Sequence, residues 1–220
     1  TTNISDYFNM MQPESEIPMS PMMSYTANKS ATNGEDFEDS SSSMYIYKPT
    51  NQEYVTTDGK KVVVDTQNLA VTYIDKNGST VTKQGGHKAW RTNNPGNLSF
   101  SSLDAAKASG AIGVWQDSLG HKYGIYATPE EGRKALKNKL NEKRFSVHPN
   151  GQKRSIANMV REIYAPAADR NDPAKYTRFL ASQGIDVHKS VNELSNIEKD
   201  KLINAISQME GNKEGQTTIG

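Results

Sequence analysis

The chain has 220 residues, of which 34% are apolar and 23% charged, with a net charge of +1. That length suits one domain with extensions or two small ones, and the low apolar share leaves part of the chain outside any core. With no cysteine, disulfides and thiolate zinc sites are excluded, and with no apolar run near the roughly 18–20 residues of a bilayer crossing, no membrane span is expected.

Residues 1–44 are rich in Ser, Thr, Asn, Met and Pro, with the run Ser40–Ser43 and no apolar periodicity. The composition predicts an extended or disordered arm. Met10, Met11, Met19, Met22, Met23 and Tyr25 are apolar anchors that could order against a partner. Residues 1–45 hold seven acidic side chains against Lys29 alone, a net of −6, which leaves +7 for the remainder. A basic remainder suits an anionic partner as well as it suits a solvated surface. The N-terminus shows no basic start leading into an apolar stretch, so no Sec-type signal is expected there.

Residues 45–84 change character. Tyr45-Ile46-Tyr47, Lys61-Val62-Val63-Val64 and Ala70-Val71-Thr72-Tyr73-Ile74 are β-branched and aromatic, and Asp58-Gly59 and Asn77-Gly78 are hairpin dipeptides. Three or four short antiparallel strands are predicted, and so little apolar surface needs something to pack on.

Residues 85–220 are predicted to form one mainly helical domain. Residues 91–126 read as mostly loop, with a short helix near 102–109. A helix starts at Thr128-Pro129-Glu130-Glu131, with Thr as cap and Pro at the first position. A second spans about 155–163, and a third starts at Asp172-Pro173 and stops at Gly184. A fourth starts at Ser195, with Glu198 as its capping-box partner, and stops at Gly211. The expected architecture is therefore α+β: an extended arm, a small antiparallel hairpin region, then a mainly helical domain.

The loop Arg91-Thr92-Asn93-Asn94-Pro95-Gly96-Asn97-Leu98 is the most unusual segment. Asn and Gly tolerate left-handed backbone, Pro fixes φ, and Asn amides brace tight turns. Amides also donate and accept, so the same loop could floor a site for sugar hydroxyls and acetamido groups. The four histidines lack metal-ligand spacing, and there is no phosphate loop or nucleophile elbow. Neither a metal nor another cofactor is therefore expected. Nucleic-acid binding is not expected either, because no focused basic stripe with interleaved aromatics exists.

The loop resembles the R-N-N-N-P-G-N-Ile/Leu signature of phage virion-associated, lysozyme-like wall-degrading proteins. Further elements follow in that family's order. They are Trp115-Gln116, Gly124-Ile125-Tyr126-Ala127, Thr128-Pro129-Glu130-Glu131-Gly132, Tyr164-Ala165-Pro166, Asp172 to Tyr176, Gly184-Ile185 and Met209-Glu210-Gly211. Thr92 departs from the family's Asn, and nothing before residue 85 is covered. The resemblance implies a lysozyme-like fold and cleavage of peptidoglycan glycan strands, by hydrolysis or by transglycosylation. It also implies location in a phage particle and action in the host periplasm; the anchor-bearing arm and hairpin region, residues 1–84, would then attach the protein to other virion proteins. The alternatives are a structural virion protein whose domain only binds wall, and a secretion-system toxin of the same class.

Glycan cleavage needs a carboxylic acid to protonate the leaving oxygen, best placed at a helix end where desolvation raises its pKa. The resemblance and the position point to Glu210, with Glu214 as competitor, and Asp117 is the candidate second carboxylate. Arg91, Asn93, Asn94, Asn97, Trp115, Gln116 and Tyr126 are the candidate substrate-binding residues. Trp115, Tyr123 and Tyr126 could stack on sugar rings or belong to the core. The loop and Glu210 are then expected to face each other across one cleft.

Overall fold

The computed structural model describes residues 51–118, 120–167, 171–211 and 213–220. The expected arm over 1–44 and the strand expected at Tyr45–Tyr47 lie outside these residues.

Four antiparallel strands follow one another: β1 (Gln52–Val55), β2 (Lys61–Asp65), β3 (Ala70–Ile74) and β4 (Thr80–Gln84). Their turns come from local chemistry. Gly59 and Gly78 take φ of 87° and 89° at the Asp-Gly and Asn-Gly dipeptides. The turn after β2 is closed by Asp65, whose Oδ1 accepts from the backbone N–H groups of Gln67 and Asn68. A fifth strand joins from the far end of the chain. Strand β8 (Gln216–Ile219) pairs antiparallel with β4, giving the sheet order β1-β2-β3-β4-β8.

Between them lie seven α-helices, among the described residues, and a second sheet. Helix α1 (Lys88–Arg91) leads into the Asn-rich loop. Strands β5 (Ser99–Phe100), β6 (Gly113–Gln116) and β7 (Lys122–Ile125) form an antiparallel sheet of order β5-β7-β6, with α2 (Leu103–Ala108) inserted. Then come α3 (Pro129–Leu140), α4 (Lys143–Ser146) and α5 (Ile156–Met159), which runs on as a π-helical turn over Val160–Tyr164. Helices α6 (Pro173–Ser182) and α7 (Asn196–Glu210) complete the set. Side-chain caps start the three longest: the Thr128 oxygen accepts from Glu131 N, that of Asp172 from Lys175 N, and Ser195 and Glu198 form a reciprocal box.

The expectation of a mainly helical protein is corrected. Of the described residues, strands account for about 21% and helices for 39%, in two antiparallel sheets of five and three strands. Two physical reasons explain the error. Strands β5 to β7 are only two to four residues long and carry Gly113 and Gly124, so they show little period-two alternation. Strand β8 is exposed at every position, so its pairing is made by backbone hydrogen bonds to β4 rather than by a buried stripe.

The apolar core has two parts. The larger one gathers Leu98, Val114 and Tyr126 with helical residues such as Leu136, Ile156, Leu180 and Ile206. The smaller one is Val62, Val64 and Val71 of the five-stranded sheet against Trp115 and Ile125 of the three-stranded one. The hairpin region thus packs face to face on β6 and β7. Glycines permit the closest approaches between segments. A Cβ on Gly215 would lie 2.1 Å from Gln84 O, so glycine is what lets the chain after α7 reach the edge of β4. Among the described residues, no helix is long and apolar enough to cross a membrane.

Candidate active site

The Asn-rich loop is held by its own side chains. Asn93 and Asn97 take φ of 52° and 45°, the left-handed region that asparagine enters more readily than most side chains. Asn94 is fully buried and uses its whole amide: Nδ2 donates to Leu98 O and Gly124 O, and Oδ1 accepts from Leu98 N. Asn93 Nδ2 donates to the carbonyls of Tyr126 and Ala127. Thr92, where the resemblance expects Asn, donates its hydroxyl to Lys88 O at 2.8 Å and closes the end of α1.

The five-stranded sheet braces the loop from outside. Tyr73 of β3 donates its hydroxyl to Arg91 O at 2.6 Å. Lys83 of β4 donates to Asn93 Oδ1 at 2.6 Å and to Trp90 O at 3.1 Å. Burial pushes the Lys83 amine below its ordinary pKa, against the opposing pull of Glu214 and Glu130. Arg91 donates to the carbonyls of Gly85 and Gly86 and lies over the Trp115 ring, 4.7 Å from its centre. Lys83→Met would strand the buried Asn93 oxygen, and a loss of about 1–3 kcal/mol is expected, read as a lower Tm. An unchanged Tm would show that the sheet does not brace the loop.

From the other side, helix α3 presses on the loop at Gly132. A Cβ there would stand 1.8 Å from Asn93 O, so only glycine fits. Gly96 packs in the same way against Leu136 and the Tyr164 hydroxyl.

These supports deliver Asn97 to Glu210, the last residue of α7. Asn97 Nδ2 donates to Glu210 Oε2 at 3.1 Å, and the Tyr176 hydroxyl of α6 donates to Glu210 Oε1 at 3.0 Å. Tyr164, at the end of the π-helical turn, donates to Gly96 O at 2.7 Å. Its ring meets that of Tyr176 edge-on, with centres 6.0 Å apart. A π turn shifts the register of a helix by one residue, a device often found at functional sites. Here it ends on the residue that ties α5 to the loop.

The electrostatics follow from this enclosure. Burial raises the Glu210 pKa, while the hydrogen bonds from Asn97 and Tyr176 and the charge of Lys88 pull it back down. The residue keeps partial solvent access. The phenols of Tyr164 and Tyr176 are pushed well above their ordinary range, first by burial and then by the Glu210 charge. Both therefore stay protonated and act as donors. Asn97 Oδ1 is a buried acceptor with no hydrogen-bond partner among the described residues.

The remaining candidates lie as follows. Asp117 caps the turn between β6 and β7, accepting from His121 N at 2.8 Å and facing His121 Nδ1 at 2.9 Å. Glu214 is exposed on the segment leading to β8. Trp115 and Tyr126 are core residues at 3% and 0% exposure, and Tyr126 shares a hydrogen bond with Ser109. Gln116 ends β6 opposite Lys122. Arg91, Asn93 and Asn94 are spent on bracing the loop. Of the proposed set, the structure joins Asn97 and Glu210 directly. Sequence reasoning placed Tyr164 and Tyr176 only inside motifs, with no role for either phenol. No local signal distinguishes a phenol that closes on a carboxylate from one that packs in a core.

Among the described residues, no three His, Cys, Asp or Glu side chains gather as a metal site. The assembled centre is one desolvated carboxyl group with an amide and a phenol as donors, suited to proton transfer. The chain matches no family model and no curated protein sequence.

Proposed function

We propose that this protein cleaves the glycan strands of peptidoglycan, with Glu210 as the proton donor to the leaving oxygen. The observation that carries this reading is the Glu210 carboxyl, enclosed enough to raise its pKa and held by the Asn97 amide and the Tyr176 phenol. A general acid must hold its proton near working pH, and desolvation is the usual means of achieving this. Asn97 suits both states of such a group. Its amide donates to the carboxylate, and after a half-turn it accepts from the protonated acid. The resemblance to phage virion-associated wall-degrading proteins supplies the substrate class and the proposed setting, a phage particle acting in the host periplasm.

The structural alternative, a virion protein whose domain has lost activity, draws on the burial of Trp115 and Tyr126, which removes two of the aromatic platforms expected for sugar. One experiment decides: the full chain is incubated with purified peptidoglycan and the soluble fraction is examined by mass spectrometry. Products with reducing ends mean hydrolysis, and 1,6-anhydro ends mean transglycosylation. Binding without products would favour the structural reading.

The pH dependence follows from the hydrogen bonds. The Tyr176 phenol lowers the Glu210 pKa, so its removal raises it. A general acid works below its pKa, so Tyr176→Phe is expected to move the alkaline limb of the pH–activity profile upward. The carboxyl titration of Glu210, followed by carbon NMR, should move the same way. A limb that stays in place or moves down would sever Tyr176 from Glu210.

A further inference from the structure

The five-stranded sheet is open beyond β8: among the described residues, no strand follows it in the order β1-β2-β3-β4-β8. Which backbone groups face the open side follows from the pairing with β4. Thr80 and Gly220 exchange both N–H···O bonds, at 2.7 and 3.0 Å. Such pairs alternate along an antiparallel ladder, so Thr82–Thr218 and Gln84–Gln216 are bonded pairs as well. The N–H and C=O groups of Thr217 and Ile219 therefore point away from β4. Strand β8 also lacks the features that usually guard an edge. Gln216-Thr217-Thr218-Ile219 has no charge and no proline, and all four residues are exposed, Ile219 at 79%. Side chains that point to both faces are exposed, so the rest of the protein does not overhang this edge. At the opposite edge, β1 carries Glu53, paired with Lys61 at 3.4 Å.

The outward groups of β8 are complementary to themselves. A two-fold axis through Thr218 sets Thr217 opposite Ile219 of a second copy, and Ile219 opposite that copy's Thr217. Each of these two pairs exchanges both backbone hydrogen bonds. Thr218 then faces its own counterpart as a pair without backbone bonds, the arrangement that brings side chains closest. The sheet already contains that contact. The bond from Asp75 N to Ser79 O makes Thr72 and Thr82 such a pair by alternation, and their hydroxyls lie 2.9 Å apart. The two Ile219 side chains become diagonal neighbours on one face, within reach of each other. We propose that β8 is a dimerisation edge, pairing antiparallel with β8 of a second copy to join two five-stranded sheets into one. The partner is a second copy because the outward groups of β8 match one another in register, and the threonine contact they bring is one the sheet already makes. This inference is independent of the glycan-cleaving reading of Glu210.

The chain has no cysteine, so a single introduced one reports on the register. Across the axis, Thr218→Cys brings two Cα atoms to about 4.5 Å, inside the range that a disulfide spans. Gln216→Cys leaves them about 13 Å apart along the strand, beyond that range. Under mild oxidation of the full chain, Thr218→Cys is expected to form a disulfide-linked dimer about tenfold faster than Gln216→Cys or more. Sedimentation of the unmodified full chain should show a monomer–dimer equilibrium with Kd below about 100 μM, weak because the interface is small. Ile219→Lys, at an exposed position, sets two ammonium groups diagonally across the axis and should weaken the dimer about tenfold. Thr217→Pro removes an outward N–H and no bond to β4, and should act in the same direction. Both variants should keep the circular dichroism of the parent. An unmodified chain that stays monomeric above that concentration, or equal crosslinking by the two cysteine variants, overturns the inference. Assembly that runs past the dimer does so too, since β8 would then be pairing with β1 of the next copy.

Discussion

Glu210→Gln is expected to lower release of soluble wall fragments by roughly a thousandfold, within the range that a positioned general acid contributes. The substitution keeps the size of the side chain and removes the ionisable proton. It should also stabilise the fold at neutral pH, and the sign follows from proton linkage. The folded Glu210 pKa lies above its unfolded value because of burial. Ionising the group therefore costs stability, and that cost grows as pH rises from the unfolded pKa through the folded one. Glutamine carries no such cost, so the variant should melt higher than the parent at pH 7 and show no gain at pH well below the unfolded value. Fragment release and thermal melts at two pH values measure both effects. A variant that melts higher but still releases fragments at the parent rate would remove Glu210 from the chemistry while leaving its burial intact.

The second large effect is expected at Gly132, which no chemical step uses. Its missing Cβ makes room for Asn93 O, 1.8 Å from where that carbon would be. The obstacle is backbone, not the end of a flexible side chain, so either α3 or the loop must move. Gly132→Ala is expected to cost about 3 kcal/mol, the upper part of the range for overpacking. For a protein of this size that lowers Tm by roughly 6–12 °C. Because Asn93 and Asn97 belong to one braced loop, fragment release should fall even below the melting range. An alanine variant with parental Tm and parental release would show that the loop does not depend on this approach.

Both predictions concern one piece of architecture, and they bear on what residues 45–84 do. The sequence suggests a hairpin region in search of a packing partner, with attachment as its use. The structure gives these strands a nearer task. Tyr73 and Lys83 reach the loop that carries Asn97, and Val62, Val64 and Val71 cover Trp115. The sheet is a brace for the site, and β8 ties the end of α7 back to it. A fragment starting at residue 85 would lose both.

The local features were legible. Thr128, Asp172 and Ser195 cap the helices they precede, and Gly59 and Gly78 take the left-handed conformations that their dipeptides announce. These signals work because a cap or a tight turn is decided within a few residues, by one hydrogen bond or one steric restriction. The unusual density of Asn in residues 93–97 also marked a segment with left-handed backbone, which at two of its positions favours residues of that kind.

Tertiary structure decided the rest. The sequence by itself could nominate the loop and Glu210, but Asn97 and Glu210 stand 113 positions apart, and no local rule says that they touch. It could not separate Asn97, which meets the carboxylate, from Asn93 and Asn94, which brace the turn, because all three share one side chain. It could not assign Trp115 to the core, because an aromatic ring on a short strand is a platform or a filler depending on whether another sheet covers it. Which neighbour arrives is a property of the whole chain. That arrival also desolvates Glu210, and so turns a glutamate at the end of a helix into a candidate acid.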